Sequence, residues 1–198
     1  MGSRETKKAA TRKALVDAAA RLFAERGVEA TTMDDIAREA GTSRTSVFNY
    51  FGYKEMILCE IGARYVAEVA ATAEASRSRR RSPRAMLLDI IDNLAEIAER
   101  DPVIVAAIAR ELTHTDPERR RLADATLQYG EFVNVTLDVL EQAGLLRDPG
   151  RRPSYIRMSV DMAAGALVRA GGDFPMSQLR TELHHNVDLF MDGAVKPE

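Results

Sequence analysis

The chain has 198 residues, of which 45% are hydrophobic and 29% charged, and its formal net charge is −2. This composition is typical of a globular protein and excludes the intrinsically disordered class. No stretch approaches the roughly 18 uncharged apolar residues of a membrane-spanning helix, and the polar N-terminus lacks an apolar signal core. We therefore expect a cytoplasmic protein of two unequal units with no membrane partner.

The residue types that most often carry chemistry are sparse in this sequence. Cys59 is the single cysteine, so the chain cannot form an internal disulfide and offers no cysteine pair to zinc. The histidines His114, His184 and His185 lack the spacing of a metal-binding helix. The sequence also lacks nucleophile motifs and glycine-rich phosphate loops. It therefore predicts neither an enzyme, nor a metal site, nor a cofactor.

The start of the chain is more basic than the rest. Residues 1–60 hold ten basic and nine acidic residues, whereas the remainder holds 18 and 21. Within the first thirteen residues, five cations face only Glu5. Such a segment can neutralise DNA phosphates, although a short basic terminus is as often simply solvated. We call these residues the basic arm: Arg4, Lys7, Lys8, Arg12 and Lys13.

Three helices are predicted in the first fifty residues. From Thr11, apolar residues recur at three- and four-residue spacing up to Gly27, which favours a first helix that ends at this glycine. Thr32 can cap a second, short helix that ends at Gly41. After a three-residue turn, residues 44–51 continue as a third helix. Two short helices joined by a glycine-containing turn are typical of a helix-turn-helix.

The rest of the chain is predicted to be helical as well. A long helix runs from Lys54 to about Ser76, and an arginine-rich segment follows it. The next three helices start where a capping residue precedes a proline at the first helical position, and the third extends to Gly144. Two final helices cover about residues 154–170 and 177–194, and no alternating β pattern occurs, so we predict an all-α fold. The three helix starts are Ser82-Pro83, Asp101-Pro102 and Asp116-Pro117.

The third helix carries side chains suited to reading DNA. In a helix-turn-helix, the second short helix enters the major groove with its N-terminal residues leading. Arg44 can donate two hydrogen bonds to guanine and Asn49 can pair with adenine, so both are predicted to provide specificity. Thr32, Tyr50 and Lys54 are placed to hold phosphates, although Thr32 is equally explained as a helix cap. The predicted DNA-binding set is Thr32, Ser43, Arg44, Thr45, Ser46, Phe48, Asn49, Tyr50 and Lys54.

The run from Thr31 to Ser43, followed by residues 46–51 and Lys54-Glu55, resembles the signature of the TetR family of repressors. The resemblance covers about residues 8–58. It implies an all-helical homodimer with an effector pocket in its C-terminal domain, in which ligand binding moves the two DNA-reading heads apart.

The resemblance also implies a division of labour between two domains. Residues 1–53 would form the three-helix, helix-turn-helix DNA-binding domain, and residues 54–198 the helical effector-binding and dimerisation domain. Phe48 departs from the family pattern, which usually has a tyrosine there with its hydroxyl on a phosphate. Its ring can also be explained by packing against the first helix. Without that hydroxyl, backbone anchoring must rely on Thr32, Tyr50, Lys54 and the basic arm.

By resemblance, the last two helices pair with their copies in a second subunit, although the same stripes could serve the chain's own core. The predicted interface residues are Met162, Ala163, Ala166, Leu167, Leu179, Leu183, Val187 and Phe190. The pocket would be lined by inward apolar side chains, including adaptable methionines, with a few polar residues to orient a hydrophobic or amphipathic effector. The predicted pocket residues are Met86, Ile90, Asn93, Ile104, Ile108, His114, Gln128, Tyr129, Val133, Met158 and Met162.

Together these patterns predict a ligand-responsive transcriptional regulator. We expect a repressor that binds a palindromic operator in double-stranded DNA as a homodimer and is released by a small apolar effector. The alternative is a helical protein-interaction module with a vestigial DNA-binding head. The basic arm, together with Arg44 and Asn49, favours the first interpretation.

Overall fold

The computed structural model describes residues 3–127, 130–172 and 174–196. These residues form ten α-helices and one short 3-10 turn, together with an isolated β-bridge between Leu146 and Val195. The all-α prediction is therefore confirmed. Within the described ranges, no helix is long and apolar enough to cross a bilayer. The helices are α1 (Ser3–Arg26), α2 (Met33–Glu39), α3 (Arg44–Tyr50), α4 (Lys54–Ser78), α5 (Pro83–Arg100), α6 (Pro102–Leu112), α7 (Pro117–Leu127), α8 (Gly130–Gln142), α9 (Arg152–Ala170) and α10 (Met176–Ala194).

The chain divides into two compact units, one up to Gly62 and one from Ala63 onwards. This division falls inside α4, later than the sequence-based boundary after residue 53. The physical reason is that the first turns of α4 bury Ile57, Leu58 and Ile61 within the N-terminal unit. A helix boundary is visible in sequence as a capping pattern, whereas a unit boundary depends on which residues a helix packs against.

The N-terminal unit is built on α1, α2, α3 and the start of α4. Its core contains Leu15, Phe23, Ile36 and Val47, each with no exposed surface. The helix α1 begins at Ser3 rather than at the predicted Thr11, so the basic arm is helical. Lysine, arginine and alanine are good helix formers, and the segment before Thr11 is rich in them.

Two glycines end the first two helices of this unit. Gly27 has φ = +84° and Gly41 has φ = +64°, values in the left-handed region that other residues adopt only with strain. Gly27 follows α1, and Gly41 begins the turn between α2 and α3. Both glycines were predicted to end these helices, and both predictions are confirmed.

The C-terminal unit contains a second apolar core. Leu137 and Leu140 of α8, Tyr155 of α9, and Val187 and Phe190 of α10 are buried together. The Tyr155 and Phe190 rings meet edge to face, with centroids 6.3 Å apart and an interplanar angle of 79°. Edge-to-face contact is a favoured arrangement for aromatic rings, so it fixes α9 against α10.

The helix starts in this unit agree with the sequence. The helices α5, α6 and α7 begin at the three predicted prolines, and the Ser82 side chain caps α5 by accepting a hydrogen bond from the Ala85 amide. One continuous helix was predicted from Pro117 to Gly144. The structure describes α7 and α8 over this range, and residues 128–129 between them lie outside the described residues, so the continuity of this helix stays a prediction.

Candidate nucleic-acid interface and ligand cavity

The start of α2 is fixed by a network around one carboxylate. The Asp35 amide donates to the Thr32 hydroxyl oxygen at 3.2 Å, while the Thr32 amide and hydroxyl donate to the Asp35 carboxylate at 3.1 and 2.7 Å. This reciprocal capping satisfies amides that the helix leaves unpaired. Arg26 and Arg38 also contact this carboxylate, at 3.0 and 3.2 Å. Hydrogen bonds from the Thr32 side chain and backbone, followed by the nearby Arg26 charge, lower the pKa of Asp35 to about 2.

The helix α3 presents a polar surface to solvent. Val47 has no exposed surface, and Phe51, just after the helix, is 1% exposed, so both anchor α3 to the core. The Ser43 side chain caps α3 by accepting a hydrogen bond from the Ser46 amide at 3.1 Å. Ser46 and Tyr50, also predicted to contact DNA, are half-buried at the margin of α3. Of the predicted DNA-binding residues, Thr32 at the start of α2 is exposed, and so are five on α3 and its N-cap. We call these five the reading face: Ser43, Arg44, Thr45, Phe48 and Asn49.

We call the N-terminal unit, up to Gly62, the reading head. Arg44 is held there by two neighbours. Its Nη1 donates to the Asp34 carboxylate at 3.1 Å, and its guanidinium lies 5.5 Å from the centre of the Phe48 ring. Phe48 is 42% exposed, so it does not serve as core packing against α1. Asp34 was not predicted as a functional residue. It is ten positions from Arg44 in the chain, and only the turn between α2 and α3 brings the two together.

Lys54 has a structural role in addition to its predicted one. Its ammonium donates to the carbonyl oxygens of Val28, Glu29 and Thr31 at 2.7, 3.2 and 3.3 Å. An ammonium has three donors, and three carbonyls of its own unit receive them here. Lys54 therefore fixes the loop between α1 and α2 to the first residue of α4. Its contact with a DNA phosphate stays a prediction.

The basic arm is partly committed to contacts within the protein. Arg12 pairs with Glu60 through two nitrogens, its Nη1 reaches the Tyr50 carbonyl at 3.5 Å, and its guanidinium lies 4.4 Å from the centre of the Phe51 ring. Lys13 pairs with Asp17 at 2.6 Å. These two cations stabilise the head, which the charge pattern alone did not indicate. Fewer arm cations than predicted are left to face DNA.

Two other lysines of the basic arm lie beside the reading face. A groove lies between the first turns of α1 and the edge of α3. It is lined by Glu5, Lys7, Lys8 and Thr11 of α1, by Thr42 of the turn, and by Ser46, Asn49 and Tyr50 of α3. Two lysines and side chains predicted to read bases therefore share one surface. This arrangement can hold a phosphate backbone while α3 enters the adjacent groove.

The C-terminal unit contains an apolar cavity between helices α5, α8, α9 and α10, with Leu112 of α6 at its edge. The open space amounts to about 60 Å³, which is room for a few water molecules. Two polar side chains interrupt the apolar lining. The Ser159 hydroxyl donates to the Tyr155 carbonyl at 3.0 Å, and the Asn186 amide donates to the Met162 carbonyl at 3.2 Å.

Only some predicted pocket residues line this cavity. Ile90, Val133 and Met162 do so, together with neighbours that were not predicted, such as Leu87, Phe132 and Ser159. The buried side chains of Met86, Ile104 and Ile108 pack into the core instead, and Met158 packs against the core formed by α8, α9 and α10. Gln128 and Tyr129 lie outside the described residues.

Asn93 and His114, two of the polar residues predicted to orient a ligand, do not line this cavity. Asn93 is on the α4 side of α5, where its amide donates to Glu68 at 3.4 Å. His114 lies beyond the end of α6, and its Nδ1 accepts from the Asp116 amide at 3.0 Å. Ser159 and Asn186 are the polar side chains that the cavity contains. Their only sequence signal was a polar residue on an otherwise apolar helix face, which a surface residue also gives.

The predicted dimer stripe on α10 is buried within the single chain. Leu179, Leu183, Val187 and Phe190 are at most 4% exposed there, so they offer little surface to a second subunit. Ala166 and Leu167 of α9 are buried as well, whereas Met162 and Ala163 are partly exposed and line the cavity. An amphipathic pattern identifies the buried face of a helix but does not show which chain covers it. The stripe on α10 belongs to the chain's own core.

Over the described part of the chain, no group of three or more His, Cys, Asp or Glu side chains is arranged to hold a metal ion. The candidate site thus has two separate parts, a polar surface with lysines in the N-terminal unit and an apolar cavity in the C-terminal unit.

Comparisons with known proteins match both units. Residues 15–61 match the profile of bacterial regulatory proteins of the tetR family, and residues 63–193 match that of the C-terminal domain of TetR/AcrR family transcriptional repressors. The HTH-type transcriptional repressor KstR2 of Rhodococcus jostii is 31% identical over 96% of this chain and 94% of its own length. The HTH-type transcriptional regulator BetI of Agrobacterium fabrum is 38% identical over 48% of this chain. The chain spans about half of the length of that regulator, 47%.

Solved structures agree over nearly the whole chain. Thermus thermophilus FadR, a TetR-family transcriptional repressor in complex with lauroyl-CoA, has a TM-score of 0.84 and 29% identity, covering 94% of this chain and 96% of its own. Bacillus subtilis FadR in complex with stearoyl-CoA has a TM-score of 0.66 and 18% identity, covering 88% and 96%. The latter likeness concerns the fold alone.

The capping network generates a prediction about pH. The pKa of Asp35 lies below its ordinary value of 3.8, so its contribution to stability is present above about pH 4 and is lost as the pH falls towards 2. Thr32→Val removes the hydroxyl but keeps the amide, and should raise the pKa of Asp35 towards 3.8. Arg26→Ala should raise it by less, because Arg26 contributes less than Thr32. An NMR titration of the Asp35 carboxyl measures both, and an unchanged pKa in Thr32→Val would contradict the assigned cause.

Proposed function

Because the chain belongs to the TetR family of transcriptional regulators, we propose that it is a repressor that binds a palindromic operator as a homodimer and is released by a small, largely apolar effector. The observation that carries the DNA-binding part is the reading face beside the groove that contains Lys7 and Lys8. Exposed base-reading side chains next to positive charge are what sequence-specific binding to duplex DNA requires.

Base reading and backbone anchoring fall to different residues. Arg44 and Asn49 are exposed on α3 and offer the side-chain groups that pair with guanine and adenine in the major groove. Lys7 and Lys8 supply charge from α1, and such contacts hold any sequence through counterion release. Because the operator is read by two copies of α3, a two-fold symmetric dimer requires a palindromic site.

The dimer forms through the outer surface of α9 and α10. On α10, Thr181, His185 and Leu189 are exposed at helical spacing, and Leu189 is 50% exposed. On the neighbouring helix α9, Met158 and Gly165 are partly exposed. An apolar side chain surrounded by polar ones, with a glycine that permits close helix approach, suits a self-complementary interface.

The effector binds in the apolar cavity and is an elongated acyl chain, as in an acyl-CoA thioester. The lining is apolar except at two residues, so it favours a ligand with one polar group on a long apolar body. Asn186 donates one amide hydrogen to Met162, which leaves its second hydrogen and its oxygen for that polar group. The relative from Thermus thermophilus, at 29% identity, holds lauroyl-CoA.

Effector binding requires the cavity to open. Pockets for drug-sized ligands usually have volumes of about 300–1,000 Å³, whereas the open space here is about 60 Å³. The lining includes Met162 and Phe132, and flexible methionines repack at modest cost. A ligand that enters must therefore displace lining side chains, which gives it different affinities for two conformations of the unit.

Arg44→Ala and Lys8→Ala should separate base reading from anchoring. Arg44→Ala should relax the preference at one base pair per half-site, at a cost of about 1–3 kcal/mol there. Lys8→Ala should weaken binding to all DNA sequences equally and should reduce the slope of log affinity against log salt concentration by about one. Fluorescence anisotropy on an operator selected from random DNA, at several salt concentrations, measures both. Uniform loss for both variants would contradict the division of roles, and recovery of no palindrome by the unaltered protein would reject the DNA-binding proposal.

Lauroyl-CoA should release the protein from this operator, whereas coenzyme A, which lacks the acyl chain, should not. Ala163→Leu adds bulk to the cavity wall and should raise the lauroyl-CoA concentration needed for release by about tenfold. Operator affinity without ligand serves as the control for folding and should be unchanged. Equal release by coenzyme A would exclude the cavity as the binding site.

Leu189→Glu should convert the dimer to a monomer, because it places a charge at the centre of the proposed interface. Leu145→Glu is a matched control, since Leu145 is also exposed, at 42%, but lies outside α9 and α10. Sedimentation velocity measures the mass of each variant. A dimeric Leu189→Glu protein would show that the interface lies elsewhere.

A further inference from the structure

Arg44 is held by side chains from both helices of the helix-turn-helix. Asp34 lies in the first turn of α2, and its carboxylate accepts from Arg44 Nη1 at 3.1 Å. Phe48 lies one turn after Arg44 on α3, and its ring centre is 5.5 Å from the guanidinium carbon. All three side chains are solvent-exposed: 67% for Arg44, 48% for Asp34 and 42% for Phe48. The arrangement therefore lies on the surface that faces DNA.

We propose that Asp34 and Phe48 orient the Arg44 guanidinium for guanine, so that Asp34 acts as a specificity-determining residue without touching a base itself. This inference rests on the DNA-binding function proposed above. It assigns a role to a carboxylate that the helix-turn-helix pattern leaves without one.

The geometry leaves the reading edge of Arg44 available. A guanidinium has five N–H donors in a fixed plane, and Asp34 engages Nη1. The Nε and Nη2 donors form the opposite edge, and two parallel donors are what guanine O6 and N7 accept. A guanidinium already restrained at Nη1 loses less rotamer freedom when it binds, and it presents that edge in one orientation.

Stability does not account for the Asp34 contact. An ion pair between exposed side chains contributes little to folding, because water and salt screen it. A carboxylate on a DNA-facing surface also repels phosphates, and so weakens binding to every sequence. Orientation of Arg44, by contrast, changes the affinity for operators with guanine at the contacted position and not for other DNA sequences. The contact with Asp34 can supply this effect.

The Phe48 ring is the second neighbour of the Arg44 guanidinium. Phenylalanine lacks the hydroxyl with which a tyrosine would contact a phosphate, and the exposure of its apolar ring to water is unfavourable. A guanidinium over an aromatic face is attracted by the ring and keeps its donors in its own plane. Phe48 thus restrains the tilt of the guanidinium, and Asp34 restrains its rotation in that plane.

The test uses the full chain and the operator selected from random DNA by the unaltered protein. Arg44→Ala first identifies the base pair that Arg44 reads. The specificity ratio is then the affinity for the selected operator divided by that for the operator changed at this pair. Asp34→Ala should lower this ratio by about fivefold, while affinity for unrelated DNA stays equal or rises because a negative charge is lost. Asp34→Asn keeps an oxygen that can accept from Nη1, so it should recover most of the ratio.

Two controls separate orientation from charge and from folding. Glu39→Ala removes another carboxylate of α2, one paired with Arg21 of α1 at 2.9 Å, and should leave the ratio unchanged. In an Arg44→Ala background, Asp34→Ala should no longer affect the ratio, since the interaction it supports is gone.

An unchanged ratio in Asp34→Ala, or an equal fall with and without Arg44, would overturn the inference. A ratio that rises in Asp34→Ala would overturn it as well, because Asp34 would then compete with guanine for Arg44. If the unaltered protein selects no palindrome, the DNA-binding proposal itself fails. These outcomes are therefore distinguishable.

Discussion

The contact of the Lys54 ammonium with three backbone carbonyls is the constraint on which the rest of the reading head depends. The carbonyls of Val28, Glu29 and Thr31 belong to the loop that ends α1 and leads into α2. Carbonyls that converge on one point repel each other unless a cation lies between them. With Lys54 in place the loop adopts one path, Thr32 reaches the position where it can cap α2, and the turn after α2 directs α3 outward.

Charge in the reading head therefore has structural roles besides the proposed contacts with DNA. Arg12 and Lys13 of the basic arm pair with Glu60 and Asp17, and Arg26 contacts the Asp35 carboxylate. A count of cations along the sequence treats all of these as available to phosphates. In the structure, Arg12 and Arg26 each join α1 to another helix, because a planar guanidinium can donate to a carboxylate in a fixed geometry. Lys7 and Lys8 line the groove beside α3.

The sequence predicted the parts of the fold that local patterns determine. Glycines with positive φ, capping residues and prolines at helix starts lie where expected, because each acts within a few residues of its own position. Periodicity also identified Leu179, Leu183 and Val187 as one buried stripe, but it could not show that the chain's own helices cover it. In the same way, the contact between Asp34 and Arg44 depends on the angle between two helices, which no sequence spacing encodes.

The cavity was the hardest part to predict because of the side chains that line it. Apolar side chains that line a narrow space look the same in sequence as those that fill a core, and with about 60 Å³ of open space the two are nearly the same structure. Met162 illustrates the consequence, since it lies both on the cavity wall and at the partly exposed surface of α9. In the proposed dimer, a ligand that displaces this side chain would change the packing of α9 and the surface that α9 offers to the second subunit. Binding energy would act on that dimer only through a difference in affinity between the two packings, and a cavity that opens to admit its ligand would supply that difference.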